Sequence, residues 1–553
     1  MNELIFYLSG SFLFYLSYFI LGLFIYEKFY AKILEINFLE ATLLGLLGIS
    51  ILALIINFFL PLSQGINLFV LISIYALLFF IKDKKLIQII KYNLIFTVSL
   101  FIFTVFARNP EDASLYHLSY IAILNSEPIN FGLTNVHSRF GHTSIIQYLS
   151  AISYIPYLSK YTIISQNNFI YCLVITIFLT KLNLNFKRNE IYSIYFKLLC
   201  LIFITLKFSK YSDWGNDLSP AILTFYVVSF LIDYLSRDNN EQSFNYIYLY
   251  LLLITTFIFL NKISYIIIFS VLILLFFKNI KITKFFNHKI ILFFSLILFI
   301  FFVRNFIISS CIIYPINFTC IETIWNSPNL NKAVFLQAKS WSMSISDLKN
   351  LNMDPEIYIK NFNWINTWLN VHFIKITEKI FTFLAMIILV LIFLKLKLKD
   401  KNKIYNVPNF HYYLLLLFVL YVTFWFLSAP LFRYGTGFII VLVILIIIPL
   451  ILKHMNYLKD NNFNFFKNFV IFLVITIILT KNIIRVVNDS ESNLIPKTFN
   501  LVSLNSINFN DQKIFYSNGT ECYYSTKTPC IKHKPSTIKN VANYGNYKIY
   551  IGF

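Results

Sequence analysis

Most residues in this chain able to do acid–base or ion-pair chemistry fall in short polar stretches between long apolar runs. The first stretch is Arg108-Asn109-Pro110-Glu111-Asp112-Ala113-Ser114-Leu115-Tyr116-His117. A carboxylate a few residues beyond an apolar run sits where water gives way to hydrocarbon. Partial desolvation raises its pKa there and lets it take a proton from a hydroxyl. Asp112 is the candidate base, with Glu111 as its substitute. Tyr116 and His117 are candidate substrate contacts. The same carboxylates could also cap a helix or stand solvated in a loop.

Further along the stretch come Asn135, His137, Arg139 and His142, an amide, two imidazoles and a guanidinium in an apolar chain. Such a set suits phosphate or sugar hydroxyls, because Arg makes two parallel, charge-assisted contacts to phosphate oxygens. His137 and His142, with His117 or Asp112, could alternatively hold a divalent cation. Their spacing matches no metal signature, so no metal ligand is assigned, and a divalent cation stands only as an open cofactor. A plain structural role for the cluster is the other alternative.

Four more polar points lie at the ends of apolar runs: Asp213 and Asp217, Lys262, Arg304 beside Asn305, and Arg433-Tyr434-Gly435. Long cations at such ends can simply snorkel. Charges at a membrane boundary are costly, however, and together they mark substrate paths. The arrangement points to an anionic, lipid-linked substrate, with Arg and Lys on a phosphate and Asp on a hydroxyl.

The elements that must position these residues follow from composition. Of 553 residues, 58% are hydrophobic and 13% charged, and the mean hydropathy is +0.70. A soluble protein carries about 25% charged residues, so the chain is expected to be an all-α polytopic membrane protein. About fourteen spans are expected: 4–26, 39–60, 66–81, 92–107, 161–180, 189–208, 218–235, 244–260, 263–278, 288–308, 379–396, 411–428, 436–453 and 466–485. Segment 143–159 is shorter and is expected to lie in the interface plane as an amphipathic helix. Lys-rich loops such as 82–91, 278–289 and 395–403 alternate with sparsely charged ones, which makes the Lys-rich side cytoplasmic. The loops 108–143 and 309–378 and the tail then face out. The net charge of +21 belongs to those cytoplasmic loops, and no nucleic-acid partner is expected.

The chain thus divides into a transmembrane domain, 1–485, and a tail, 486–553, expected to form a small β-containing cap. Cys311 and Cys320 share one outward loop, and Cys522 and Cys530 share the tail. Pairs so spaced on an oxidising face point to local disulfides, although connectivity stays open.

This layout resembles the class C glycosyltransferases, polytopic enzymes that use polyprenyl-phosphate-linked sugars. Glu111-Asp112 with Tyr116-His117 looks like the acidic element opening that family's first large outer loop, and 143–159 could supply its short interfacial helix. More closely, the chain is similar to an uncharacterised group of large bacterial membrane proteins. The matching pieces are Asp112…Tyr116-His117, Asn135-x-His137-x-Arg139, Arg304-Asn305, Ser310-Cys311…Tyr314-Pro315…Cys320, Arg433-Tyr434-Gly435 and Cys522…Pro529-Cys530. The resemblance implies a core of that kind with extra N-terminal helices, since about four spans precede Asp112 instead of one. It makes Asp112 the acceptor-activating base or a metal ligand, and Arg304 and Arg433 the donor-phosphate candidates.

The expected function is glycosyl transfer from a polyprenyl phosphate to an envelope glycan or lipid acceptor, at the outer face of a bacterial inner membrane. A transporter or flippase of lipid-linked saccharides is the alternative, and a polymerase or ligase is another. A transporter should show inverted repeats and midplane polar residues.

Overall fold

A run of Leu, Ile and Phe can lie in hydrocarbon only if its own N–H and C=O groups pair with each other, so such runs coil. The computed structural model describes residues 2–29, 37–81, 83–104, 112–142, 144–155, 166–206, 214–237, 241–277, 288–347, 353–397, 406–454, 460–488, 503–510, 512–519 and 521–553. Glu111 and Asp213 lie outside the described residues.

Among the described residues, eight helices are long and apolar enough to cross a membrane. They are Leu4–Phe29, Phe38–Phe59, Gln166–Lys187, Leu218–Leu235, Phe244–Asn261, Ile291–Ser309, Phe410–Ser428 and Phe432–Leu452. Five of the other expected spans contain shorter apolar helices: Gln64–Phe80, Leu86–Ser99, Ile191–Leu206, Ile263–Leu275 and Ile471–Lys481. The chain is therefore a helical membrane protein, and helices of 22, 24 and 29 residues also run through the expected spans 92–107, 379–396 and 466–485.

The Leu218–Leu235 helix is the centre of the assembly. Every residue from Ser219 to Leu235 is buried, and helices Gln166–Lys187, Ile191–Leu206, Glu241–Asn261 and Phe432–His454 all pack against it. The Ile291–Ser309 helix is peripheral by contrast and turns Leu292, Phe293, Leu296 and Phe299 outward. Small residues let the first two helices touch backbone to backbone. A methyl group on Gly45 would stand 2.1 Å from the Tyr18 carbonyl oxygen, and one on Gly22 would stand 2.4 Å from that of Ala41.

A closed charge network lies near the Asp233 end of the central helix. Glu40 Oε1 pairs with Lys181 at 2.5 Å and accepts from the Tyr226 hydroxyl at 3.0 Å. Asp233 Oδ1 accepts from Lys197 at 2.6 Å, from Asn185 at 2.7 Å and from Ser193. Lys181 lies 3.8 Å from the other Asp233 oxygen and joins the two halves.

Segment 143–159 departs from the expectation. Among its described residues, 144–155, the helix is Ile145–Ile152, opened by a Ser144/Gln147 capping box, and all eight residues are buried. It is an internal wedge against helices Phe38–Phe59 and Leu118–Ser126, not a helix floating in the interface.

The tail forms strands β1 (Asn505–Phe509), β2 (Gln512–Tyr516), β3 (Cys530–Ile531), β4 (Ile538–Tyr544) and β5 (Tyr547–Gly552). One sheet has the order β1-β2-β3 and the other pairs β4 with β5. The tail is stitched to the loop after Asp112: Phe131 exchanges 2.9 Å backbone bonds with Lys548 and Tyr550. Disulfides join Cys311 to Cys320 and Cys522 to Cys530.

Candidate functional site

Asp112 enters a single wide helical turn, Ala113–His117, which runs into the Leu118–Ser126 helix. Such π-turns often sit at functional sites because they re-aim side chains. The Asp112 carboxylate makes no capping bond, which removes the helix-cap alternative. One of its oxygens accepts from Arg139 Nη1 at 2.5 Å and the other from Arg433 Nη1 at 3.4 Å.

Arg433 opens the Phe432–His454 helix. Its Nε lies 3.3 Å from Asp217, and Asp217 in turn pairs with Lys262. Five expected residues, scattered over more than 300 positions, therefore form one chain of charge: Arg139, Asp112, Arg433, Asp217, Lys262. With three cations and two carboxylates, it carries one excess positive charge. The Arg139 and Arg433 side chains are 46% and 41% exposed, so the chain is open at its guanidinium end.

Aromatic faces support the cations. Lys262 stands 3.6 Å over the Tyr434 ring, and Arg433 lies 5.2 Å from the Trp341 ring and 5.1 Å from that of Tyr434. Arg139 lies 5.5 Å from the Tyr116 ring. Gly435 makes room for this helix start, because a methyl group there would stand 2.6 Å from the Trp425 indole.

Arg433 Nε is the least satisfied of these groups. Its ion pair with Asp217 lacks hydrogen-bond geometry, and among the described residues this buried N–H has no other acceptor. Burial alone would raise the Asp217 pKa, but Lys262 and Arg433 outweigh it and hold the carboxyl below its ordinary value. It stays ionised.

His117 lies beside this chain and is neutral. Gln147 Oε1 accepts from the Ser144 N–H at 2.7 Å and hydroxyl at 3.0 Å, which turns its amide nitrogen toward His117 Nδ1 at 2.8 Å. Nδ1 is thus an acceptor, so the ring proton sits on Nε2. Burial lowers the His117 pKa to about 4, overcoming the raising effect of Asp112 and Asp217, with Lys262 and Arg139 acting in the same sense as burial. His137 and His142 are lowered to about 4, chiefly by burial.

Two expected residues lie elsewhere. Arg304 is fully buried and donates to the Tyr120 hydroxyl at 2.8 Å, the Tyr148 hydroxyl at 3.3 Å and Asn305 Oδ1 at 2.7 Å. It ties the His288–Ser309 helix to two short helices instead of joining the open charge chain. Asn135 donates to the carbonyls of Trp325 at 3.0 Å and Tyr550 at 2.8 Å, so it anchors the tail. Gln147 and Trp341 were missed. Gln147 had a signal, the Ser-x-x-Gln capping spacing; Trp341 had none.

A divalent cation does not fit this donor set. Both Asp112 oxygens face guanidiniums, Asp217 faces Lys262 and Arg433, and a dication would meet three positive neighbours. Among the described residues, no group of three His, Cys, Asp or Glu is placed to share a metal.

Fold and site together define a helical membrane protein with a chain of ion pairs beside its central helix. A family model described as a domain of unknown function, DUF8201, matches residues 4–440, more than half of the chain, and the protein belongs to that family. No curated protein and no solved structure matches it.

Proposed function

We propose that this protein is a membrane glycosyltransferase that moves a sugar from a polyprenyl-phosphate-linked donor to an envelope glycan or lipid acceptor. We place the reaction at the outer face of a bacterial inner membrane, opposite the Lys-rich loops, within a class C-type core bearing extra N-terminal helices. The observation that carries this reading is the surplus cation of the described Asp112 chain, whose Arg139 and Arg433 side chains are partly exposed. A phosphate at the exposed guanidinium groups of Arg139 and Arg433 supplies the missing negative charge.

In this scheme Arg433, Arg139 and Lys262 hold the donor phosphate, which competes with Asp112 for the two guanidiniums and with Asp217 for Lys262. Asp112, released from its guanidinium partners, takes the acceptor hydroxyl proton. The acceptor oxygen bonds to the anomeric carbon while the bond from that carbon to the phosphate oxygen breaks. Its electrons go to the phosphate, which the cations stabilise. Neutral His117 donates through Nε2 and does not act as the base.

The test is release of prenyl phosphate from a short-chain prenyl-phosphate sugar by purified protein in lipid nanodiscs, with bacterial envelope lipid and glycan supplied as acceptor. Wild-type turnover should fall by about 100-fold or more in Asp112→Asn, the range of a lost general base, with the fold retained. Donor binding without turnover in the wild type would overturn the transferase and favour a flippase.

A further inference from the structure

The tail lies beyond residues 4–440 of the family match, yet it bonds directly to the turn that presents Asp112. The Ser114 hydroxyl donates to the Glu521 carboxylate. The Tyr523 N–H donates to the Ser114 carbonyl at 3.2 Å, and the Ser119 hydroxyl donates to the Tyr523 carbonyl at 3.1 Å. About two turns on, the Tyr524 hydroxyl donates to Asn125 at 3.2 Å, and the Ser126 and Thr528 hydroxyls lie 2.7 Å apart. The contacts march along the turn and its helix as the tail runs from 521 to 528, and Cys522–Cys530 closes that same segment.

We propose that segment 521–530 is a strap that positions the Asp112 turn, with Glu521 as its positioning residue and the disulfide as its clasp. Ser114 is buried two residues after Asp112, and a buried hydroxyl must find a partner. Glu521 provides a charge-assisted acceptor, stronger than a neutral one, and the Tyr523 backbone grips the turn on both sides. The wide turn is thereby held at the angle that keeps Asp112 within reach of Arg139 and Arg433. The functional meaning of that hold rests on the site proposed above; the hold itself does not.

The test uses the full chain in nanodiscs and three variants: Glu521→Ala, Glu521→Gln and the double Cys522→Ser/Cys530→Ser. Hydrogen–deuterium exchange of the 112–126 peptide should quicken about tenfold in the alanine and double-serine variants. It should stay near wild type in Glu521→Gln, which keeps an acceptor for Ser114, and exchange in the Leu218–Leu235 helix should not change. Binding of geranylgeranyl phosphate should weaken in parallel, with the same rescue by glutamine. Unchanged exchange at 112–126 in both weakened variants would overturn the strap. A wild type that does not bind the probe would sink the phosphate site, while the exchange data would still decide the strap.

Discussion

The central helix carries an ion network at each end, and the two are built on opposite principles. Asp217 and Asp233 are sixteen positions apart, about 24 Å along a helix. At the Asp233 end, Glu40 and Asp233 meet Lys181 and Lys197, two charges of each sign, and the Lys197–Asp233 side chains are 0% and 3% exposed. At the Asp217 end, two carboxylates meet three cations, and two of the cations reach the surface. The first network is neutral and sealed, which suits a brace among four helices. The second has surplus charge and an open edge, which suits a site that takes an anion.

The largest expected effect breaks the brace. Removing one partner of a buried pair strands the other charge and costs about 3–5 kcal/mol, whereas replacing both with apolar residues can be close to neutral. Asp233→Asn or Lys197→Met should therefore lower stability to chemical denaturant strongly, and Lys197→Met/Asp233→Leu should recover most of the loss. Asp112→Asn and Arg139→Gln should each shift stability by less than about 1 kcal/mol, because partly exposed pairs contribute little. A brace variant no less stable than wild type would erase the distinction between the two ends.

The next effect sharpens the open end. Arg433→Gln removes one charge and the unsatisfied Nε, and binding of geranylgeranyl phosphate should weaken about 10- to 100-fold in titration. Arg433→Lys should recover only part, since a point charge cannot repeat a planar fork. Lys197→Met should leave binding by the folded fraction unchanged. If Arg433→Gln bound the probe as tightly as wild type, the cation surplus would have no bearing on ligands.

Much of this was legible in sequence because a charge is conspicuous in an apolar chain. Asp112, Arg139, Asp217, Lys262 and Arg433 each stand at the edge of an apolar run, and the fold brings those edges together. Glu40, Lys181, Lys197 and Asp233 were not singled out, although each stands inside or beside an apolar run, where a charge needs a partner. What spacing does not carry is the identity of the partner. Arg304 looked like a phosphate ligand until Tyr120 and Tyr148 proved to be its neighbours, and the partner of Asn135 is Tyr550, 415 positions away. The 145–152 helix was misplaced for a related reason: hydropathy does not distinguish burial in protein from burial in lipid.

The smallest expected effect concerns pH and separates the ends by titration. His117 is buried and its pKa is lowered to about 4, whereas an unfolded histidine titrates near 6.5. Between those values the unfolded chain binds the extra proton, so stability is highest above about pH 6.5 and falls as pH drops toward 4. From pH 7.5 to 6 the loss from this one group is roughly 1 kcal/mol or less. His117→Gln should flatten the decline in melting temperature over that interval. Asp217 moves the other way on its own scale, its pKa held below the ordinary carboxylate value, so it stays charged throughout and adds nothing to the slope. Turnover of a prenyl-phosphate sugar, whose phosphodiester does not titrate near neutrality, should likewise show no inflection near pH 6.5 in wild type. An inflection there that vanishes in His117→Gln would mean that the imidazole does titrate at the open end, and it would return His117 to the role of base.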